Sequence, residues 1–95
     1  MKMHILKTWP EQFQAVWDEI KPWEFRKNDR NYEVGDILLL EEWDNEKKKF
    51  TTREIKARVV YMLKEGFGLP EGFVILSLAE IKKSNIGIEC VERMV

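Results

Sequence analysis

The sequence is poor in the residues that form covalent cross-links and metal sites. Its 95 residues include one cysteine, Cys90, and one histidine, His4. A single cysteine excludes a disulfide within the chain and is typical of a reducing compartment. One cysteine and one histidine also fall short of the four nitrogen and sulfur ligands of a structural zinc site. We therefore expect no bound metal and no other cofactor.

Long apolar runs and an excess of charge of one sign are also missing. No stretch reaches the length of a membrane span, and the residues after Lys2 do not form the apolar run of a secretory signal. Sixteen basic and seventeen acidic residues leave a net charge of −1, so any affinity for nucleic acid must come from a local patch. We expect a soluble cytoplasmic protein with no membrane partner.

The apolar residues are sufficient for one modest core. They make up 44% of the chain, which at this length predicts a single domain over residues 1–95. A helix should begin after Thr8, which would form a capping box with Glu11, and should end before Pro22. Its apolar stripe consists of Phe13, Val16, Trp17 and Ile20.

The rest of the pattern predicts strands. We expect them at residues 3–7, 23–27, 37–43, 50–63, 73–78 and 86–91, with a helical turn over 79–84. One helix followed mainly by strands is typical of an α+β domain. Its curved sheet of about five or six mostly antiparallel strands should approach a small barrel.

The densest polar block lies between the helix and the strand at 37–43. Within it, Glu24 and Arg26 share one face of a predicted strand, and Lys21 lies just before that strand. Arg can bind a planar acceptor through two hydrogen bonds, and Glu can accept one from an exocyclic amine of a base. The alternative is a set of ion pairs on an exposed sheet face, each contributing about 0.2–1 kcal/mol.

Further charged and aromatic residues extend this candidate site. Lys27 and Arg30 are suited to phosphate contacts, and Tyr32 to stacking on a base, whereas Trp23 is expected in the core. Arg53 falls in phase with a buried face, so it is either solvated beyond the core edge or paired with Glu24. The candidate ligand-binding residues are Lys21, Glu24, Arg26, Lys27, Arg30, Tyr32 and Arg53.

Four short motifs carry a family resemblance. They are His4-x-Leu6-Lys7, Lys21-x-x-Glu24-x-Arg26-Lys27-Asn28-Asp29-Arg30, Gly35-Asp36-Ile37-Leu38 and Glu42-Trp43-Asp44. Over roughly residues 3–78 the chain resembles a small bacterial and phage family of unknown function within the ASCH domains of the PUA-like superfamily. The resemblance implies a PUA-like pseudo-barrel that binds RNA through a cleft beside the first helix. The chain departs from the family pattern at Glu19, usually Gly, and at Pro22, usually Thr.

Three functions remain open. The first is a binding module for RNA or a nucleotide. The second comes from the resemblance, because some small ASCH proteins hydrolyse the acyl amide of acetylated cytidine. It would make Lys21 and Glu24 catalytic, although those enzymes have a threonine in place of Glu24 and a downstream glutamate, here Glu65 or Glu71. The third is a small protein-interaction domain whose charged cluster satisfies itself.

Overall fold

The computed structural model describes residues 1–85, in which five strands form one mixed sheet and one short helix packs against it. In chain order the elements are β1 (Met3–Thr8), α1 (Pro10–Trp17), β2 (Trp23–Lys27), β3 (Ile37–Asp44), β4 (Lys49–Leu63) and β5 (Phe73–Asn85). The strand order in the sheet is β1-β3-β4-β5-β2. The predicted class, mostly strands with one N-terminal helix, is confirmed for these residues as a half-barrel.

Strand pairing explains the curvature of this sheet. β1 pairs with β3 in parallel, and the other neighbours pair antiparallel. The ladders on either side of the long β4 are interrupted by register shifts, one opposite β3 and two opposite β5. Such irregularities bend a strand and increase its twist. The sheet therefore curls until its edge strands, β1 and β2, come within side-chain reach of each other.

Helix α1 begins close to the predicted position but is capped differently. Trp9 occupies the N-cap position with no side-chain hydrogen bond, and Pro10 is the first helical residue. Thr8 instead ends β1, and its hydroxyl donates to the carbonyl of Leu6. The predicted capping box is therefore wrong, because strand pairing takes Thr8 out of the helix.

The helix also ends earlier than predicted, at Trp17. Glu19 has a left-handed backbone with φ 57°, a conformation that glycine adopts with less strain. Ile20 is consequently 78% exposed instead of completing the apolar stripe. The chain turns here so that it can enter β2 immediately after Pro22.

The core forms where α1 covers the concave side of the sheet. Its buried apolar residues are Leu6, Phe13, Val16, Tyr32, Leu38, Leu40, Ile55, Ala57, Val59, Val74, Leu76 and Leu78. The predicted buried phase of β4 is confirmed as far as Val59. A register shift follows between Val59 and Tyr61, and Tyr61 is exposed.

Two further predictions concern the C-terminal end of the described chain and the residues after it. The helical turn predicted over 79–84 is wrong, because β5 continues to Asn85 in register with Arg53 of β4. The long β4 thus supplies backbone partners that the local sequence does not reveal. The strand predicted over 86–91, and Cys90 with it, lies outside the described residues.

Strand β2 presents its two faces in an unexpected way. Glu24 is buried, whereas Trp23 and Phe25 are 42% and 45% exposed. The prediction that Trp23 belongs to the core is therefore wrong. The charged face of β2 is the one directed toward β1, because Arg26 on that face donates to Lys7 and Thr8 of β1.

Candidate functional site

The polar block bridges the gap between the two edge strands, which we call the seam. Arg26 of β2 donates from Nη2 to the hydroxyl of Thr8 at 3.1 Å and to the carbonyl of Lys7 at 3.4 Å. Arg30 donates from Nη1 to the carbonyl of Ile5 at 3.1 Å. Edge strands carry backbone groups that lack strand partners. The two arginines satisfy such groups along β1 and hold the seam together.

Lys21, Glu24 and Arg26 form a compact ion-paired group, here called the seam cluster. The Glu24 side chain is 4% exposed. One of its oxygens accepts from Lys21 Nζ at 3.1 Å and the other from Arg26 Nε at 2.9 Å. Burial of a carboxylate is tolerated only when the charge is paired. The structure thus brings together the three side chains that the sequence places before and on β2.

An open cleft of about 520 Å³ lies beside the seam cluster. Trp9 at the start of α1 and Trp23 of β2 line it and are 59% and 42% exposed. The Lys21 ammonium lies 4.9 Å from the centre of the Trp23 ring. The full lining is Lys7, Thr8, Trp9, Gln12, Lys21, Trp23, Glu24, Phe25 and Arg26.

Trp9 is a lining residue that the sequence analysis missed. It lies outside the apolar stripe of α1 and directly before Pro10. A tryptophan that is not needed for the core, at the first turn of a helix, is the signal that could have identified it.

A smaller basic pocket of about 230 Å³ lies on the other side of Arg26. Its lining is Leu6, Lys7, Arg26, Lys27, Asp29, Arg30 and Tyr32. Lys27 and Arg30 are exposed here. Four of the predicted ligand-binding residues therefore meet in this pocket, and Arg26 also borders the cleft.

Tyr32 has a different position from the one that base stacking requires. It is 2% exposed, and its ring packs against His4 with 4.7 Å between centroids. Burial raises the pKa of its hydroxyl, although Arg26 and Arg30 act in the opposite direction. Its ring therefore belongs to the core, and its hydroxyl is a hydrogen-bond donor at neutral pH.

Arg53 belongs to a separate group that we call the core-edge cluster, formed with Glu42, Thr51 and Gln14. Its guanidinium donates to the two Glu42 oxygens at 2.8 and 2.9 Å and to Gln14 at 2.9 Å. Hydrogen bonds from Arg53 lower the pKa of Glu42, and burial only partly opposes them. Both predictions for Arg53 are therefore wrong, since it is neither solvated beyond the core nor paired with Glu24.

The position of Arg53 had a sequence signal. Glu42 continues the buried alternation of Leu38 and Leu40 in β3. A carboxylate on that face requires a cation from a neighbouring strand. β4 pairs with β3, and Arg53 is the basic residue near that end of β4 that is in phase with the buried Ile55 and Ala57.

A third buried pair fastens the start of β3 to β1. His4 Nε2 lies 2.8 Å from Oδ2 of Asp36. The Asp36 carboxylate also accepts backbone hydrogen bonds, from Lys2 through Oδ1 and from Glu33 through Oδ2. Burial acts to raise the pKa of Asp36, but these hydrogen bonds together lower it. Within residues 1–85, no three Asp, Glu, His or Cys side chains lie close enough to hold a metal ion, so this pair is not part of a metal site there.

Another pocket, of about 270 Å³, lies near the start of β3. Its Arg58 and Glu80 pair with each other, and none of its lining residues within the described chain is aromatic. The cleft at the seam is larger and combines tryptophans with cations, so it is the stronger candidate for a ligand site.

The chain has known relatives. Residues 3–78 match the family described as a domain of unknown function, DUF3850. Over 58 residues the chain is 45% identical to a protein of Escherichia phage P2, described as an uncharacterized 12.9 kDa protein in the GpA 3' region. That match covers 61% of this chain and 51% of the phage protein, so the chain spans about half the length of this curated relative.

The matched region includes both edge strands of the seam and the first six residues of β5. No helix among residues 1–85 has the length and apolar character needed to cross a membrane. The family match extends over most of the chain and over every residue that lines the cleft. The chain belongs to the DUF3850 family.

Proposed function

We propose that this protein is a binding module for single-stranded RNA or a nucleotide, and that the cleft at the seam is its ligand site. One observation carries the proposal: the cleft places the half-exposed rings of Trp9 and Trp23 beside the cations Lys21 and Arg26. Aromatic rings that stack on bases, together with cations that follow the phosphates, are the usual means of binding single strands.

The geometry assigns different roles to the cleft residues. Arg26 is held by Glu24 and Thr8 at 2.9 and 3.1 Å, so its orientation is set before a ligand arrives. Preorganisation of this kind reduces the entropic cost of binding. Both oxygens of Glu24 already accept hydrogen bonds. Glu24 is therefore a positioning residue for Lys21 and Arg26.

We also infer that the domain is of the ASCH type within the PUA-like superfamily. A curved sheet with a single helix beside a polar cleft supports this assignment. The named motif residues from Lys21 to Arg30 border either the cleft or the adjoining basic pocket at six positions, Lys21, Glu24, Arg26, Lys27, Asp29 and Arg30. The resemblance and the geometry thus favour the same surface.

Binding is better supported than the hydrolase alternative. Lys21 contacts the Glu24 carboxylate and the Trp23 ring, and both are partners of a protonated ammonium group. A lysine that acts as a base or nucleophile must release its proton. Among residues 1–85, Glu24 is the only carboxylate in the cleft lining, and Glu65 and Glu71 lie elsewhere, in the exposed loop between β4 and β5.

Fluorescence anisotropy with a labelled single-stranded RNA of about eight nucleotides tests the proposal. Trp23→Ala is expected to weaken binding by about tenfold, because one base–aromatic stack contributes ~1–3 kcal/mol. Phe67→Ala is the matched control, since Phe67 is 95% exposed and lies outside the cleft. Its affinity should equal that of the unmodified protein.

Two results would overturn the proposal. One is the absence of binding of single-stranded RNA, nucleotides and nucleosides by the unmodified protein, where RNA binding is recognised by its dependence on salt. The other is an equal loss of affinity in Trp23→Ala and Phe67→Ala, which would show that the cleft is not the binding surface. A self-satisfied interaction domain predicts the first of these results.

A further inference from the structure

We propose that the basic pocket across Arg26 is a phosphate-binding site, so that the ligand of the cleft carries a phosphate next to the base held by the tryptophans. This inference rests on the proposed function, and it defines the ligand class as a phosphorylated nucleotide or a phosphodiester strand. A bare nucleoside would occupy the cleft alone.

The charges of the pocket favour an anion. Lys7, Arg26, Lys27 and Arg30 line it, and Asp29 is the single carboxylate that residues 1–85 contribute. Arg30 uses one terminal nitrogen to bind the carbonyl of Ile5. Within residues 1–85, the side chain of Lys27 makes no hydrogen bond or ion pair, and the residue is exposed. Donors therefore remain available on Lys27 and Arg30, two of the four cations, and guanidinium groups are well suited to phosphate oxygens.

Tyr32 supplies an independent observation. It lines the pocket and is 2% exposed, yet its hydroxyl has no hydrogen-bond partner among the described residues. Within the same residues no fully buried side-chain polar atom lacks a partner. The hydroxyl therefore keeps some accessible surface, and Tyr32 is a lining residue of the pocket. An otherwise buried donor at a pocket lined by cations matches a phosphate oxygen.

The pocket adjoins the cleft, as a nucleotide that occupies both would require. Lys7 and Arg26 line both cavities. The hydrogen bonds of Arg26 to Glu24 and Thr8 fix its guanidinium group. A base beside Trp23 and its phosphate beside Arg30 would thus lie on opposite sides of one immobilised guanidinium group.

Isothermal titration calorimetry at low salt tests the inference with the four common ribonucleoside 5'-monophosphates and their unphosphorylated nucleosides. Each monophosphate that binds is expected to bind about tenfold or more tightly than its nucleoside, because charge-assisted hydrogen bonds are added. Lys27→Gln and Tyr32→Phe should each reduce this difference, and the double variant should abolish most of it. Nucleoside affinity should stay unchanged in all three.

The variants are suited to this test because they remove groups that bind no described residue. Both should therefore fold with an unchanged melting temperature. Lys82→Gln is the charge-matched control, since Lys82 is an exposed residue of β5 that lines neither cavity. It should leave the difference between monophosphate and nucleoside intact.

The outcomes separate the two proposals. Equal affinity for a monophosphate and its nucleoside would overturn the phosphate site and leave the cleft as a nucleoside site. A preference for the monophosphate that survives in the double variant would overturn the assignment to this pocket. If the unmodified protein binds neither kind of ligand nor RNA, both the phosphate site and the proposed function are wrong.

Discussion

Two buried glutamate–arginine clusters stabilise this domain, and they differ in what surrounds the arginine. In the core-edge cluster, Arg53 binds Glu42 through two hydrogen bonds, and its guanidinium lies 5.0 and 4.8 Å from the ring centres of Phe13 and Trp17. In the seam cluster, Arg26 binds Glu24 through one nitrogen and borders two cavities.

The difference shows how a structural ion pair can be told from a ligand site. Both glutamates are almost fully buried, with side chains 4% and 5% exposed. Pairing satisfies each of them, so pairing alone does not identify a site. Exposed tryptophans and adjoining cavities accompany the seam cluster. The surroundings, rather than the charges, therefore favour ligand binding at the seam.

The largest expected effect is the loss of stability in Arg53→Met. Glu42 would remain buried without a cation, which should lower the free energy of unfolding by about 3 kcal/mol. Arg58→Met is the control on the same strand, because its pair with Glu80 is exposed and should contribute less than about 1 kcal/mol. Urea unfolding measures both. Equal losses in the two variants would show that the core-edge cluster is not a special source of stability.

Arg26→Met should destabilise the domain less, by about 2 kcal/mol, because Glu24 keeps its pair with Lys21. Unlike Arg53→Met, it should also weaken binding of single-stranded RNA. Urea unfolding and anisotropy on the two variants give the contrast directly. If both variants bind RNA as the unmodified protein does, the distinction between the clusters fails.

Acidification should lower the stability of the unmodified protein by less than either arginine substitution does. The pKa values of Glu42 and Asp36 are lowered in the folded protein. Their contribution is therefore fully present above about pH 4.5, where the unfolded carboxyls are ionised, and is lost as the pH falls through the lower folded values. Urea midpoints measured from neutral to acidic pH should show this decline.

Arg53→Met separates the two carboxyls in that experiment. It removes the main cause of the low Glu42 pKa, so the acid dependence of its stability should be shallower. The remaining dependence would include that of Asp36. An acid dependence identical to that of the unmodified protein would contradict the assigned role of Arg53.

Features that depend on residues close together in the sequence were predicted correctly. The alternation from Trp23 to Lys27 gave β2, and the shared face of Glu24 and Arg26 gave the convergence of the seam cluster. Short motifs likewise indicated a family of unknown function over roughly residues 3–78, and the DUF3850 match covers that range.

The remaining features depend on contacts between distant segments. β5 extends to Asn85 because β4 is long enough to pair with it. The cleft and the basic pocket exist because the sheet curls until β1 meets β2, strands that are not neighbours in its hydrogen-bonded order. Neither Trp9 beside the cleft nor the burial of Tyr32 follows from spacing within one strand.

The indole N–H signals of the four tryptophans test the central claim most directly. Trp9 and Trp23 line the cleft, whereas Trp17 contacts Arg53 and Trp43 packs against Phe50. Titration of nitrogen-15-labelled protein with single-stranded RNA is predicted to shift the Trp9 and Trp23 signals and to leave those of Trp17 and Trp43 in place. Unchanged Trp9 and Trp23 signals, or changes confined to Trp17 and Trp43, would contradict ligand binding at the seam.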